Sequence, residues 1–105
     1  MLYEIRFAEC VRDHMKYLPA AQGARLLDAI RTQLAHDPLV ETRQRKPLRP
    51  NPLAPWELRV GSLRAFYDVR PLSPQFAGSA AVVYVLAVGK KERHVLRIAG
   101  EVVKI

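Results

Sequence analysis

The sequence predicts an α+β domain spanning 1–105, with a helical hairpin packed on one face of a small, mainly antiparallel sheet, in the order β-α-α-β-β-β. Three observations predict it. Residues 56–70 alternate with period two around a tight turn, the mark of a two-stranded hairpin. Residues 8–36 carry apolar positions at helical spacing, interrupted once by Pro19. Residues 80–88 are almost continuously apolar, as in a central strand covered on both faces.

In chain order, Leu2 to Phe7 forms the first strand. A helix over Ala8–Leu18 follows, with Val11, Met15 and Leu18 on one stripe, and Pro19 stops it. A second helix runs from Ala20 to His36, buried through Ala24, Leu27, Ile30 and Leu34 and widened by Leu26. It ends at Asp37-Pro38, because the residue before a proline is pushed out of the helical region. The stretch Glu41–Pro55 reads as a basic, then proline-rich loop, whose four prolines exclude helix and strand from its second half and stiffen it. Trp56, Leu58 and Val60 alternate with Glu57 and Arg59. Gly61-Ser62 suits a type II′ turn, since Gly accepts the positive φ needed at its first central position. Leu63, Ala65, Tyr67 and Val69 then share the apolar face, which leaves Glu57, Arg59 and Arg64 together on the other. Pro71–Ser79 is a longer loop, Gly89 ends the last strong strand, and the tail 95–105 is either a short helix or a hairpin turning at Ala99-Gly100.

Composition narrows the function. Half of the 105 residues are hydrophobic, which excludes a disordered chain. No apolar run is long enough for a membrane helix, so no membrane partner is expected. The N-terminus lacks the layout of a signal peptide, and Cys10 is the only cysteine, so a cytoplasmic protein is expected. Cys10 reads as a small buried residue at the start of the first helix. The net charge of +7 is uneven. Residues 1–41 carry five Lys or Arg against six Asp or Glu, and residues 42–105 carry twelve against four. Such a basic half points to a polyanionic partner, most often nucleic acid.

No metal constellation is present: His14, His36 and His94 share no ligand spacing with one another or with Cys10, and no cofactor motif appears. His14 reads as a boundary residue of the first helix and His36 as a helix-end cap. What remains is a set of cations, Arg59, Arg64, Lys90, Lys91 and Arg93, with Arg45, Lys46 and Arg49 in the loop. Cleaving RNA by its own 2′-hydroxyl needs a base, stabilisation of a charged phosphorane and a proton for the leaving oxygen. Guanidinium and ammonium groups supply the second need. Glu57 or His94 could supply the proton transfers.

The order of elements, with Pro47-Leu48-Arg49, Trp56-Glu57-Leu58-Arg59-Val60-Gly61, Leu63-Arg64-Ala65-Phe66-Tyr67-Asp68-Val69 and Val88-Gly89-Lys90-Lys91-Glu92-Arg93, resembles the RelE/ParE superfamily of type II toxin–antitoxin toxins. The resemblance covers nearly the whole chain. It implies a RelE-like fold and a cognate antitoxin, with DNA reached only through that antitoxin. RelE-like members cut mRNA on the ribosome; ParE-like members inhibit DNA gyrase. By resemblance, Arg64 matches a phosphate-stabilising arginine, Lys91 a second cation of the transition state and Arg49 a loop residue that contacts mRNA. Two positions depart from the pattern: Glu57 stands where RelE has a catalytic lysine, and Arg97 where it has a C-terminal catalytic tyrosine. Resemblance and residues together predict a ribosome-dependent endoribonuclease. Arg64 and Lys91, matched to the family, stand at its centre with Glu57 and His94, read from the residues. Arg49, also matched, contacts the RNA with the remaining cations Arg45, Lys46, Arg59, Lys90 and Arg93. A gyrase inhibitor, or a toxin homologue that only binds its antitoxin, are the alternatives.

Overall fold

A computed structural model of the chain describes residues 3–71 and 81–105. Leu2, residues 72–79 of the expected loop and residue 80 of the expected strand therefore lie outside the described residues. The element order is β1 (Glu4–Phe7), α1 (Glu9–Met15), α2 (Ala20–Leu34), β2 (Arg45–Pro47), β3 (Trp56–Val60), β4 (Leu63–Pro71), β5 (Ala81–Glu92), β6 (Val95–Ile98) and β7 (Glu101–Val102). All seven strands join one sheet in the order β2-β3-β4-β5-β6-β7, with β1 parallel to β5 and every other pairing antiparallel. The α+β architecture is the expected one, enlarged by β2, β6 and β7.

β5 organises the sheet. β4 pairs with it from Lys90 to Ala81, along most of one edge. The other edge is shared in succession. β1 takes Val82 to Val85, and β6 takes Lys90 to Glu92. Between them α1 closes the gap: Ala8 N–H donates to Val85 O, the Cys10 thiol to Leu86 O at 3.3 Å, and Val88 N–H to His14 Nδ1. Cys10 is thus exposed rather than buried, a correction explained by this edge position. The register passes from Phe66↔Ala87 to Tyr67↔Val85, so Leu86 is an extra, bulged residue. The bulge resets the alternation, and Val83, Val85 and Val88 all join the core beneath the helices.

That core unites Leu26, Ile30 and Leu34 of α2 with Leu58, Val60, Leu63, Ala65 and Tyr67 of the hairpin. Trp56 and Val69 pack on it partly buried. The stripe of α2 is rotated from the expected one. Leu26 is fully buried, Leu27 only half-buried and Ala24 exposed, because the close approach to the sheet lies along 23, 26, 30 and 34. α1 is shorter than expected, stopping at Met15, and α2 stops at Leu34. Tyr67 donates its buried hydroxyl to Pro38 O at 2.7 Å and stacks on Trp56, its cross-strand partner, with ring centroids 6.1 Å apart. Burial raises the Tyr67 phenol above its ordinary range, against the opposing pull of Arg45.

The second face of the sheet is not simply basic. Phe66 and Ala87 are buried there under Ala54, Leu96 and Ile98, with Leu48, Leu53 and Val103 around them. Two covers make this smaller core. One is the proline-rich loop, tied by Asn51, whose carboxamide donates to Arg49 O and Ala54 O and accepts from Leu53 N–H and Ala54 N–H. The other is the C-terminal hairpin, which turns at Ala99-Gly100, both at positive φ, as one of the two expected forms of the tail. It forces one correction: β5 does not end at Gly89 but runs through it to Glu92. A Cβ at Gly89 would stand 2.4 Å from Arg97 O and 2.9 Å from Ile98 Cγ1, so glycine is what lets β6 lie close. A second correction concerns the loop, since Arg45–Pro47 forms β2. Proline is accommodated there because β2 is an edge strand.

Two outcomes check this packing. Leu58→Asp would bury an unpaired carboxylate at a fully buried position and should leave the chain unfolded at room temperature, seen as loss of the cooperative thermal transition. The second concerns pH. Burial holds the His14 imidazole below the ordinary 6.5, with Asp13 opposing. The unfolded chain then binds the proton more readily, so this contribution to stability is intact above pH about 6.5 and is lost as pH falls toward the folded value. Denaturant midpoints measured from pH about 7 to about 5 should fall with acid, and His14→Asn should flatten that slope.

Candidate nucleic-acid interface

The β3–β4 hairpin turns at Gly61, whose φ of 60° is the left-handed value that the first position of a type II′ turn requires. The turn sets Arg59 directly opposite Arg64, two like charges on neighbouring strands. Unrelieved, such a pair destabilises a sheet. Glu57 relieves it. Its carboxylate, only 5% exposed, accepts from Arg59 Nε at 2.9 Å and faces Arg64 Nε at 3.4 Å. Arg64 is committed further: its Nη1 donates to Gly61 O at 2.6 Å and Leu63 O at 2.9 Å, so it also braces the turn. Burial draws the Arg64 guanidinium below its ordinary value, while Glu57 raises it and Arg59 lowers it. The Nε of Arg64 is buried without a hydrogen bond of good geometry, and the 3.4 Å approach to Glu57 is electrostatic contact only.

Beside Glu57 lies a depression lined by Lys91, His94, Val95 and Leu96 and by the last residues, Val102 to Ile105. Lys91 is fixed there because its N–H donates to Ser62 O at 2.7 Å, tying the end of β5 to the β3–β4 turn. His94 is fixed by the β5–β6 turn, in which Arg93 and His94 both have positive φ, at 52° and 66°. A two-residue I′ turn needs that geometry, and residues other than Gly adopt it at a cost of about 1–2 kcal/mol each. Strain of this kind clusters at functional sites. Lys104 joins the depression unforeseen by the sequence reading. It follows directly on Val103, whose N–H donates to Leu96 O, a contact that only the folded tail creates.

The structure therefore places Glu57, Lys91 and His94 at one depression, with Arg64 on the β3–β4 hairpin against Glu57. The other cations are dispersed. Arg59 sits on the same face, half exposed and held by Glu57. Arg93 is exposed at the tip of the β5–β6 turn and Arg49 on the proline-rich loop. Lys46 pairs with Glu41 at 3.3 Å. Arg45 turns inward, donating to Val40 O, Gln33 O and Gln33 Oε1. Lys90 points to the helical side, where it and Arg97 line a cleft with His14 and Tyr17. No three metal-ligating side chains converge among the described residues, and no helix there is long and apolar enough to cross a membrane.

Glu57→Gln should test the charge arrangement directly. It keeps the shape but removes the counter-charge between two facing guanidiniums. A loss of about 1–3 kcal/mol is expected by denaturant unfolding, smaller at high salt. An unchanged midpoint would mean that the carboxylate does not hold the strand pair together.

No protein-family model matches the sequence, and no curated protein does. Among solved structures, the fold is similar to a chain of the toxin–antitoxin complex RelBE2 from Mycobacterium tuberculosis, with a TM-score of 0.65 and 24% identity over 87% of this chain and 93% of that one. That likeness establishes a shared fold over nearly the full length of both chains.

Proposed function

We propose that this chain is the toxin of a toxin–antitoxin pair and acts as a ribosome-dependent endoribonuclease on mRNA. The observation that carries the reading is the depression beside Glu57, where Lys91, His94 and Lys104 meet on the fold of a chain from a toxin–antitoxin complex. In this reading the RNA supplies its own nucleophile. The 2′-hydroxyl attacks the neighbouring phosphorus and gives up its proton, a pentacovalent phosphorane forms, and the 5′-oxygen leaves with a proton. The products are a 2′,3′-cyclic phosphate and a 5′-hydroxyl. His94, at the depression, carries the proton transfers. Lys91 and Lys104 face the growing negative charge with ammonium groups that pair with no carboxylate among the described residues. Glu57 serves by orienting Arg59 and Arg64, since its oxygens face their guanidiniums. Arg49 and Arg93, both exposed, hold the RNA backbone on either side. The partner is an antitoxin whose acidic segment covers this face.

One observation favours a second reading, a toxin fold that binds its antitoxin without cutting RNA. Arg97, at the position matched to the family's tyrosine, lines the cleft on the helical side, away from Glu57 and Lys91.

The test is induction in cells with mRNA integrity and DNA supercoiling followed in parallel, then cleavage on purified ribosomes. Growth arrest with cut mRNA and unaltered supercoiling is expected. Lys91→Ala and His94→Ala should each slow cleavage by about 10²–10³-fold, with ribosome binding reduced far less. Arrest with intact mRNA and altered supercoiling would replace this reading by gyrase inhibition. Intact mRNA with no arrest would leave antitoxin binding alone.

A further inference from the structure

The β5–β6 pair presents cations on both of its faces. Lys91 faces the depression beside Glu57, and Lys90, one residue earlier, faces the helices. Lys90 stands directly opposite Arg97 in the ladder, a second cross-strand pair of like charges. Unlike Arg59 and Arg64, this pair has no buried carboxylate between its members. Glu92 approaches Lys90 at 3.7 Å but is 65% exposed, so its hold is weak, and Arg97 forms no ion pair among the described residues. The two cations line a cleft with His14, Tyr17, Gly89, Gly100 and one carboxylate, Glu92, so the cleft carries two positive charges against one negative. Tyr17 is 62% exposed. One side of its ring rests near Gly100, where a Cβ would stand 3.3 Å from Cδ1 and Cε1. Most of the residue is open to solvent, beside two positive charges that a single exposed carboxylate, Glu92, only partly offsets.

We propose that this cleft binds one nucleotide of a single-stranded RNA, with the phosphate between Lys90 and Arg97 and the base stacked on Tyr17. A cationic rim beside an open aromatic ring is what single-stranded nucleic acid requires, because every base has a face to stack and every nucleotide a charge to neutralise. The ligand's identity rests on the RNA reading above; the cleft lies on the other side of the sheet from Lys91. An RNA strand crossing the Arg93-His94 turn would be held on both sides of the β5–β6 hairpin.

The test is fluorescence anisotropy of the full chain with a labelled single-stranded RNA of about ten nucleotides, across a salt series. Tyr17→Leu should weaken binding about tenfold, while Tyr17→Phe, which keeps the ring, should bind like the parent. Arg97→Gln should weaken binding and lower the salt slope by about one. Both positions are solvent-facing, and circular dichroism checks that each variant is folded. Parental affinity and slope in both Tyr17→Leu and Arg97→Gln, or no binding by the parent, overturns the proposal. Its fate is separable from that of the cleavage reading. Tyr17-dependent binding by a protein that leaves mRNA intact on ribosomes upholds the cleft and removes the nuclease. Cleavage that is lost in Lys91→Ala, with Tyr17→Leu and Arg97→Gln binding as the parent does, upholds the nuclease and removes the cleft.

Discussion

The pairing of β5 is the constraint from which the rest of the molecule follows. One edge of this strand is occupied by β4 from Ala81 to Lys90, and the other is passed from β1 to α1 to β6. Each user of the second edge must satisfy backbone groups that would otherwise be buried unpaired. α1 does so with side chains, through Cys10 on the bulged carbonyl and His14 on Val88 N–H. The short first helix is therefore part of the sheet's hydrogen bonding as well as a cover over its core. The bulge at Leu86 lets one strand fill the core under the helices before it and still place Val88 there after it.

The same strand decides where the charges go. Past the bulge, alternation sends Lys90 to the helical side and Lys91 to the other, so a run that looks like one basic cluster is divided by the sheet. The β5–β6 hairpin can extend beyond the core because Gly89 has no side chain to keep Ile98 away. Without that approach the tail would not fold over Phe66, and Val103 and Lys104 would not reach the depression beside Glu57.

The parts of this fold legible in the sequence were those written as a local period. Trp56 to Arg70 alternates, and its strands, turn and faces are as the alternation requires. The illegible parts depend on partners distant in sequence. Pro47 argued against a strand, and only its place at the sheet edge allows one. Gly89 carried a breaker's signal that the close packing of β6 reverses. In α2, Leu26 and Leu27 are equally apolar, so their sequence could not say which of them the sheet would cover. At the candidate site, Glu57, Arg59 and Arg64 were brought together by alternation alone, whereas Lys104 depends on a tail that reads as either of two structures. Arg45 shows the converse: a loop cation by sequence, it is drawn inward by the Gln33 carbonyl at the end of α2 and the Val40 carbonyl beyond it, which no local pattern marks.

The arrangement around Glu57 separates two kinds of cation that composition cannot distinguish. A group that stabilises a transition state must have donors free to meet charge as it develops. Arg64 spends Nη1 on two carbonyls and lies against Glu57, so much of its capacity is committed to the folded ground state. Lys91 and Lys104 hold no such commitments to carboxylates among the described residues. Glu57 offsets the repulsion between Arg59 and Arg64, yet it supplies one negative charge against two positive ones. The hairpin therefore remains net positive behind the depression. The buried carboxylate makes this concentration of positive charge compatible with a stable strand pair, while the exposed lysines remain free to act on a ligand.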